Sequence, residues 1–248
     1  MIALSVVIFS HNRTGYLAQT IYSFLKNCKF PREQMEIIIC DDGSNPKYHN
    51  ALLEIRDLFE VDALLMLPHG GMGKSFNAGL KAARGDYILH LQDDWSLSHD
   101  DGFIETSMRI LESRPEIAII RLAMLGNEFT HFNGKTNKTY LDGVAMLELS
   151  DDFFVYSDNP HIKSKEFHEE FGYYAELKSS GEVELHMCSK FNAQSSWKIV
   201  WLGEYFKHIG RMSTLRKQIG PFPTTRRTWP SAPKIPEHFS RKQFKDMQ

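Results

Sequence analysis

Short apolar runs alternate along this chain with segments whose apolar residues recur at helical spacing, and each run stops at a polar cluster. Leu4-Ser5-Val6-Val7-Ile8-Phe9 has the continuous apolarity of a strand buried on both faces, and Ser10-His11-Asn12-Arg13 break it. Leu17, Ile21, Phe24 and Leu25 then mark a helix that Lys26-Asn27 ends and that Pro31 keeps from continuing. Glu36-Ile37-Ile38-Ile39-Cys40 predicts a second buried strand, stopped by Asp41-Asp42-Gly43-Ser44. A helix over about 47 to 58, a strand from Ala63 to Leu67, a loop from Pro68 to Gly73 and a helix from Lys74 to Ala83 lead into a strand at Tyr87. Helix Asp101 to Glu112 and strand Ile117 to Ile120 continue the alternation.

Strands and helices alternating across short loops are the mark of a doubly wound α/β layer, with helices on both faces of a Rossmann-like sheet and ligands at the carboxyl ends of the strands. The polar clusters lie at such ends. From Gly126 to Tyr156 the text is irregular, with Asn127, Thr130, His131, Asn133, Gly134 and Asn137, then a hairpin signal at Leu141-Asp142-Gly143-Val144. The last segment carries Pro221, Pro223, Pro230, Pro233 and Pro236 and is expected to run extended.

The chemistry concentrates where Tyr87-Ile88-Leu89-His90-Leu91-Gln92 ends in Asp93-Asp94. Paired carboxylates at a strand end are hard oxygen donors suited to Mg²⁺ or Mn²⁺ and, through the ion, to a diphosphate. The plainer reading is a solvated turn after a buried strand.

Composition fits one α/β domain: 248 residues, 42% hydrophobic and 24% charged. No apolar run reaches the ~20 residues of a transmembrane helix, and the start lacks the basic region of a signal peptide, so a cytoplasmic protein is expected. Cys28, Cys40 and Cys188 lack the spacing of a zinc or redox pair and are expected to be buried thiols. Residues 211 to 248 hold nine Lys or Arg against two acids, leaving 20 bases and 29 acids before them. Such a tail suits an anionic ligand, peripheral contact with the inner face of a membrane, or simple solubility. Arg226, Arg227 and Trp229, followed by Phe239 and Phe244, are its candidate contacts, and no nucleic-acid partner is expected.

Four motifs occur in order: Ser5 to Arg13, Ile39 to Ser44, Gly73 to Ile88, and Gln92-Asp93-Asp94-Trp95. Over residues 3 to 97 they resemble the nucleotide-binding half of the family 2 glycosyltransferases, whose fold is called GT-A. The resemblance implies a single domain over 1–220, with 1–97 binding the nucleotide-sugar and 98–220 the acceptor; prolines and basic charge set 221–248 apart as an extended tail. The resemblance further implies an inverting, metal-dependent hexosyltransferase of polysaccharide biosynthesis. Its donor would be a nucleotide-diphosphate sugar, a UDP-sugar first of all, and its acceptor a glycan or lipid-linked hydroxyl. By the same resemblance Ser10, His11, Asn12 and Arg13 border the base and diphosphate pocket, and Asp42 accepts a hydrogen bond from a uracil-type ring. Lys74 approaches the diphosphate or is solvated. Asp93 and Asp94 replace the family's D-x-D, with Asp94 as metal ligand and Mn²⁺ or Mg²⁺ as the ion; Gln92 departs from the usual Asp.

The second half resembles the family more loosely, through Asn159 to Lys165 and Phe171 to Glu176. The catalytic acid would open a helix at Gly181-Glu182-Val183-Glu184-Leu185. Strict register places Glu182 as the base and looser relatives favour Glu184; about 200° apart on a helix, only one can face the acceptor. His208 would complete the metal shell. The aromatic set Phe153, Phe154, Tyr156, Phe167, Phe171, Tyr173 and Tyr174 suits a core more than a sugar platform, and His161, His168 and His186 show no ligand spacing. Two rivals stand beside this reading. One is an inactive nucleotide-sugar-binding protein of the same fold. The other is a P-loop-like NTPase at His69 to Ser75, which Pro68 disfavours because it has no N–H for a phosphate.

Overall fold

The structure is a computed structural model describing residues 1–124, 136–149, 155–177, 179–193 and 196–210. The tail residues Arg226, Arg227, Trp229, Phe239 and Phe244 lie outside the described residues, as do Asn127 to Gly134, Phe153 and Phe154.

The chain runs β1 (Leu4–Ser10), α1 (Thr14–Asn27), β2 (Met35–Asp41), α2 (His49–Leu58), β3 (Ala63–Met66), α3 (Met72–Ala82), β4 (Tyr87–Gln92) and β5 (Trp95–Leu97). It continues with α4 (Phe103–Ser113), β6 (Ile117–Arg121), β7 (Thr136–Leu141), β8 (Val144–Leu149), β9 (His161–Ser164), α5 (Lys165–Phe171), α6 (Ser180–Ala193), β10 (Lys198–Trp201) and β11 (Phe206–His208). Nine strands form one mostly parallel sheet in the order β3-β2-β1-β4-β9-β6-β10-β8-β7. β1 pairs in parallel with β2 on one side and β4 on the other, so the chain reverses its winding beside β1. In open α/β sheets, ligands bind at the carboxyl ends of the strands beside such a reversal.

Alternation along the strands divides the core. Val6 and Ile8 of β1 pack with Leu17, Ile21 and Phe24 of α1, whereas Val7 and Phe9 face Phe76 and Leu80 of α3. Both faces are covered, which is why β1, β2 and β4 read as unbroken apolar runs. The hairpin forms as expected: Leu141 pairs with Val144, and Asp142 and Gly143 both have positive φ, as a two-residue turn of this hand requires.

Three strands, β5, β9 and β11, go beyond what the apolar pattern predicts. β5 pairs with β11 in a small second sheet, and β9 inserts antiparallel between β4 and β6. β9 is four residues, His161-Ile162-Lys163-Ser164, and has no apolar run because its neighbours, not its own composition, hold it. Of the cysteines, Cys40 and Cys188 are buried as expected, but Cys28 is half-buried, at the end of α1.

Candidate active site

The ends of β1, β2 and β4 place three polar clusters side by side, with Ser10 opposite Asp41 and Phe9 opposite Gln92 in register. Asp93 and Asp94 follow β4 at once and are buried, at 2% and 5% exposure, which removes the reading of a solvated turn. Arg13, just before α1, reaches both: Nη1 lies 3.2 Å from Asp93 Oδ1, and Nη2 donates to Asp94 Oδ2. Ser10 Oγ donates to Asp93 Oδ2 at 2.9 Å. Burial pushes the Asp93 carboxyl up to about 7 despite Arg13. Asp94 is also desolvated, yet His208 and Arg13 outweigh that and hold its carboxyl below the usual range.

His208, on β11, places Nε2 3.1 Å from Asp94 Oδ2, and the Ile209 N–H donates to the Asp94 carbonyl at 2.8 Å. Any side chain at Gly210 would put Cβ 2.3 Å from Asp94 Oδ2, so glycine alone fits against this carboxylate. Among the described residues, nothing hydrogen-bonds to the buried Asp94 Oδ1. A hard oxygen left unsatisfied beside an imidazole nitrogen fits a divalent cation. Arg13 supplies the positive charge between the two carboxylates in the protein alone.

The neighbouring cluster is built on Asp42. Its Oδ1 accepts from the N–H of Gly70 at 2.9 Å, and Oδ2 lies 3.1 Å from His69 Nδ1. His11 Nδ1 donates to the Asp42 carbonyl at 2.8 Å, and its Nε2 accepts from Asn12 Nδ2 at 2.7 Å. Asn12 sits at φ 57°, a conformation asparagine tolerates better than most residues, with its N–H donating to Ser44 Oγ. Residues in such conformations concentrate at ligand sites. His11, Asp42 and His69 have ligand atoms within 4.8 Å of one another, close enough to hold a metal ion. Both ring nitrogens of His11 and Nδ1 of His69 are, however, already engaged with Asp42 and Asn12, whereas Asp94 has an oxygen to spare.

The P-loop expectation meets the same bonds. The N–H groups of Gly70 and Gly71 are turned to the Asp42 carboxylate rather than outward to a phosphate. Lys74, in the first turn of α3, is exposed and lies along Gly70.

The two glutamates at the start of α6 have separate surroundings. Glu184 Oε1 accepts from Ser157 Oγ at 3.0 Å and from the Asp158 N–H at 2.9 Å. Glu182 is exposed, accepts from Ser179 Oγ at 2.7 Å, and forms a capping box with it. The N-terminus of α6 is tied to the Asp42 side through α3: the Gly73 N–H donates to the Leu177 carbonyl, and Asn77 bonds both the N–H and the carbonyl of Tyr174.

A buried polar group went unrecognised in the sequence. His90, His161, Lys163, His168, Tyr156, Tyr174 and Asp158 are all at least nine-tenths buried beneath α3 and beside α6. The signal was the spacing of His161 and Lys163, two residues apart, which on a strand share one face. Tyr156, Phe167, Phe171 and Tyr174 are core, as expected, while Tyr173 is exposed.

Comparison with known proteins accords with this geometry. The family described as Glycosyl transferase family 2 matches residues 5–193. The poly(ribitol-phosphate) beta-N-acetylglucosaminyltransferase TarS of Staphylococcus aureus is 27% identical over 95 residues, 38% of this chain and 16% of TarS. The structure of S. aureus TarS 1-349 in complex with UDP-GlcNAc matches with a TM-score of 0.62 at 19% identity, covering 86% of this chain and 60% of that one. GalNAc-T7 with UDP, GalNAc and Mn²⁺ matches with a TM-score of 0.66 at 17% identity, covering 86% and 45%. At these identities the structural likeness is one of fold, and the chain spans less than two thirds of each of these relatives.

Proposed function

The chain belongs to glycosyl transferase family 2, and from that membership we propose an inverting, metal-dependent transfer from a UDP-sugar to a hydroxyl of a glycan or lipid-linked acceptor. The observation that carries the metal dependence is Asp94 Oδ1, buried and without a partner among the described residues at the end of β4, with His208 beside the same carboxylate. The relatives lend support: the TarS structure holds UDP-GlcNAc, and the GalNAc-T7 structure holds UDP and Mn²⁺.

Asp94 and His208 would hold the ion, Mn²⁺ or Mg²⁺, which when bound neutralises charge on a departing diphosphate. Arg13 and Lys74 add cations on the same side, and guanidinium suits phosphate oxygens. Ser10 and Arg13 hold Asp93, while His11 and Asn12 shape the pocket around Asp42, whose carboxylate has lone pairs enough to accept from a uracil N–H besides its loop bonds. Glu182 is the base. Its carboxylate is exposed in the first turn of α6, where an acceptor hydroxyl can reach it, whereas Glu184, on the opposite side of the helix, is half-buried against Ser157 and Asp158. Glu182 takes the acceptor proton as the acceptor oxygen bonds to the anomeric carbon. The bond from that carbon to the diphosphate breaks on the opposite face, so configuration inverts.

Calorimetry tests this directly. UDP should bind at least tenfold more tightly with Mn²⁺ than with EDTA, and more tightly than GDP. Equal binding with and without the ion would overturn the metal role; preference for GDP would overturn the uracil reading.

A further inference from the structure

The buried polar group beneath α3 has no part in the chemistry just described, yet it ends at the helix that carries Glu182. We propose that Lys163, Tyr174 and Tyr156 anchor residues 156–158 as an internal strut that positions the first turn of α6 for the transfer step. The strut rests on the reading of Glu182 as base only for its catalytic consequence.

The anchor is continuous. Lys163 Nζ donates to the Tyr174 hydroxyl at 2.6 Å and to His161 Nε2 at 3.2 Å. His161 can accept because its Nδ1 donates to the Asn159 carbonyl at 2.8 Å. The hydroxyls of Tyr174 and Tyr156 are hydrogen-bonded at 2.9 Å. From Tyr156 the chain passes directly to Ser157 and Asp158, which grip α6 at two points one turn apart. Ser180 Oγ donates to Asp158 Oδ2 at 2.7 Å, and Glu184 accepts from Ser157 and the Asp158 N–H. Ser180 and Glu184, four residues apart, share a face of the helix; Glu182 lies between them on the other. Holding those two residues therefore fixes where Glu182 points.

Tyr174 also joins the strut to the donor side. Its backbone is bonded twice to Asn77 of α3, the helix whose leading loop donates to Asp42. One tyrosine thus links the sheet, the helix beside the base pocket and the helix bearing the acid. A fully buried lysine is costly in a core that could have been apolar, and burial pulls its pKa down to about 7 against the favourable Asp158 charge. Buried polar groups kept at such cost can define a single arrangement of the elements they join.

Tyr174→Phe tests the strut, because it removes the hydroxyl and keeps the ring against Phe76; Tyr156→Phe is the second variant should the first fold poorly. Amide exchange at Val183 to Met187 should accelerate at least fivefold while β1 and β4 stay unchanged. Turnover in UDP-GlcNAc hydrolysis with Mn²⁺ should fall on the order of tenfold, the scale of a slightly misplaced group, with UDP affinity unchanged. Exchange unchanged in both variants, or faster evenly across the sheet, overturns the strut. Faster local exchange with wild-type turnover overturns its catalytic role. Wild-type turnover in Glu182→Gln would instead remove the base assignment, and the exchange result would still decide the strut.

Discussion

Two groups of buried ionisable side chains lie in this molecule, one at the carboxyl ends of β1 and β4 and one beneath α3, and they are neutralised in opposite ways. At the strand ends, Asp94 keeps its charge because Arg13 and His208 stand against it, even though burial pushes its neighbour Asp93 up to about 7. Beneath α3, burial presses each group toward its neutral form: His90, His161 and His168 are held well below their ordinary pKa, Asp158 well above, and Lys163 is pulled down. A carboxylate with a cation partner and an oxygen to spare is ready for a ligand. A cluster of neutral groups bonded to one another holds elements together.

The contrast is broken most severely by Asp94→Ala. Removing a strand-end carboxylate outside the apolar core should leave the fold intact while UDP affinity in Mn²⁺ falls on the order of a hundredfold or more, as loss of even an outer-shell partner can cost that much. Calorimetry with circular dichroism checks both halves, and unfolding would assign Asp94 to structure instead.

Glu182→Gln and Glu184→Ala set the two regions against each other within one helix. The first should lower kcat about 10²-fold with little change in melting temperature. The second strands Ser157 Oγ and the Asp158 N–H and should cost about 1–3 kcal/mol in urea unfolding. Reversed outcomes would exchange the two roles.

A smaller effect is carried by pH. The folded pKa of Lys163, about 7, lies below its ordinary 10.5, so the unfolded chain binds this proton more tightly. Stability should therefore rise between about pH 7 and 10.5, by at most about 1.4 kcal/mol per pH unit, and be lost as pH falls toward 7. Asp158, Tyr174 and the three buried histidines interact with this lysine directly, while Glu184, Tyr156, Arg121 and Lys190 act on those neighbours. Lys163→Met should flatten the urea midpoint across that range, and an unchanged slope would place the titration elsewhere. Smallest of all, Gly143→Ala at the hairpin tip, with φ +82° and open space around it, should cost about 1 kcal/mol and leave donor binding alone.

The same contrast explains what could be read in advance. β1, β2 and β4 are buried on both faces, so their composition announces them, and the polar residues that stop them announce the site. Ser10, Arg13, Asp42, Asp93, Asp94 and His208 come together there although His208 lies more than a hundred residues away. The buried cluster was illegible because β9 is a strand only by virtue of β4 and β6, and its His-Ile-Lys-Ser text carries no apolar run. Glu182 and Glu184 both fit the helix start in the sequence, and their different surroundings, Ser179 for the one and residues 157–158 for the other, come only with the fold.

The central claim is that Asp94 and His208 hold a divalent ion for a nucleotide diphosphate. Crystals grown with UDP and Mn²⁺, measured at the manganese absorption edge, test it most directly. The account predicts an anomalous peak within coordination distance of Asp94 and His208, in contact with the diphosphate. A peak among His11, Asp42 and His69, or UDP bound with no ion at Asp94, would contradict it.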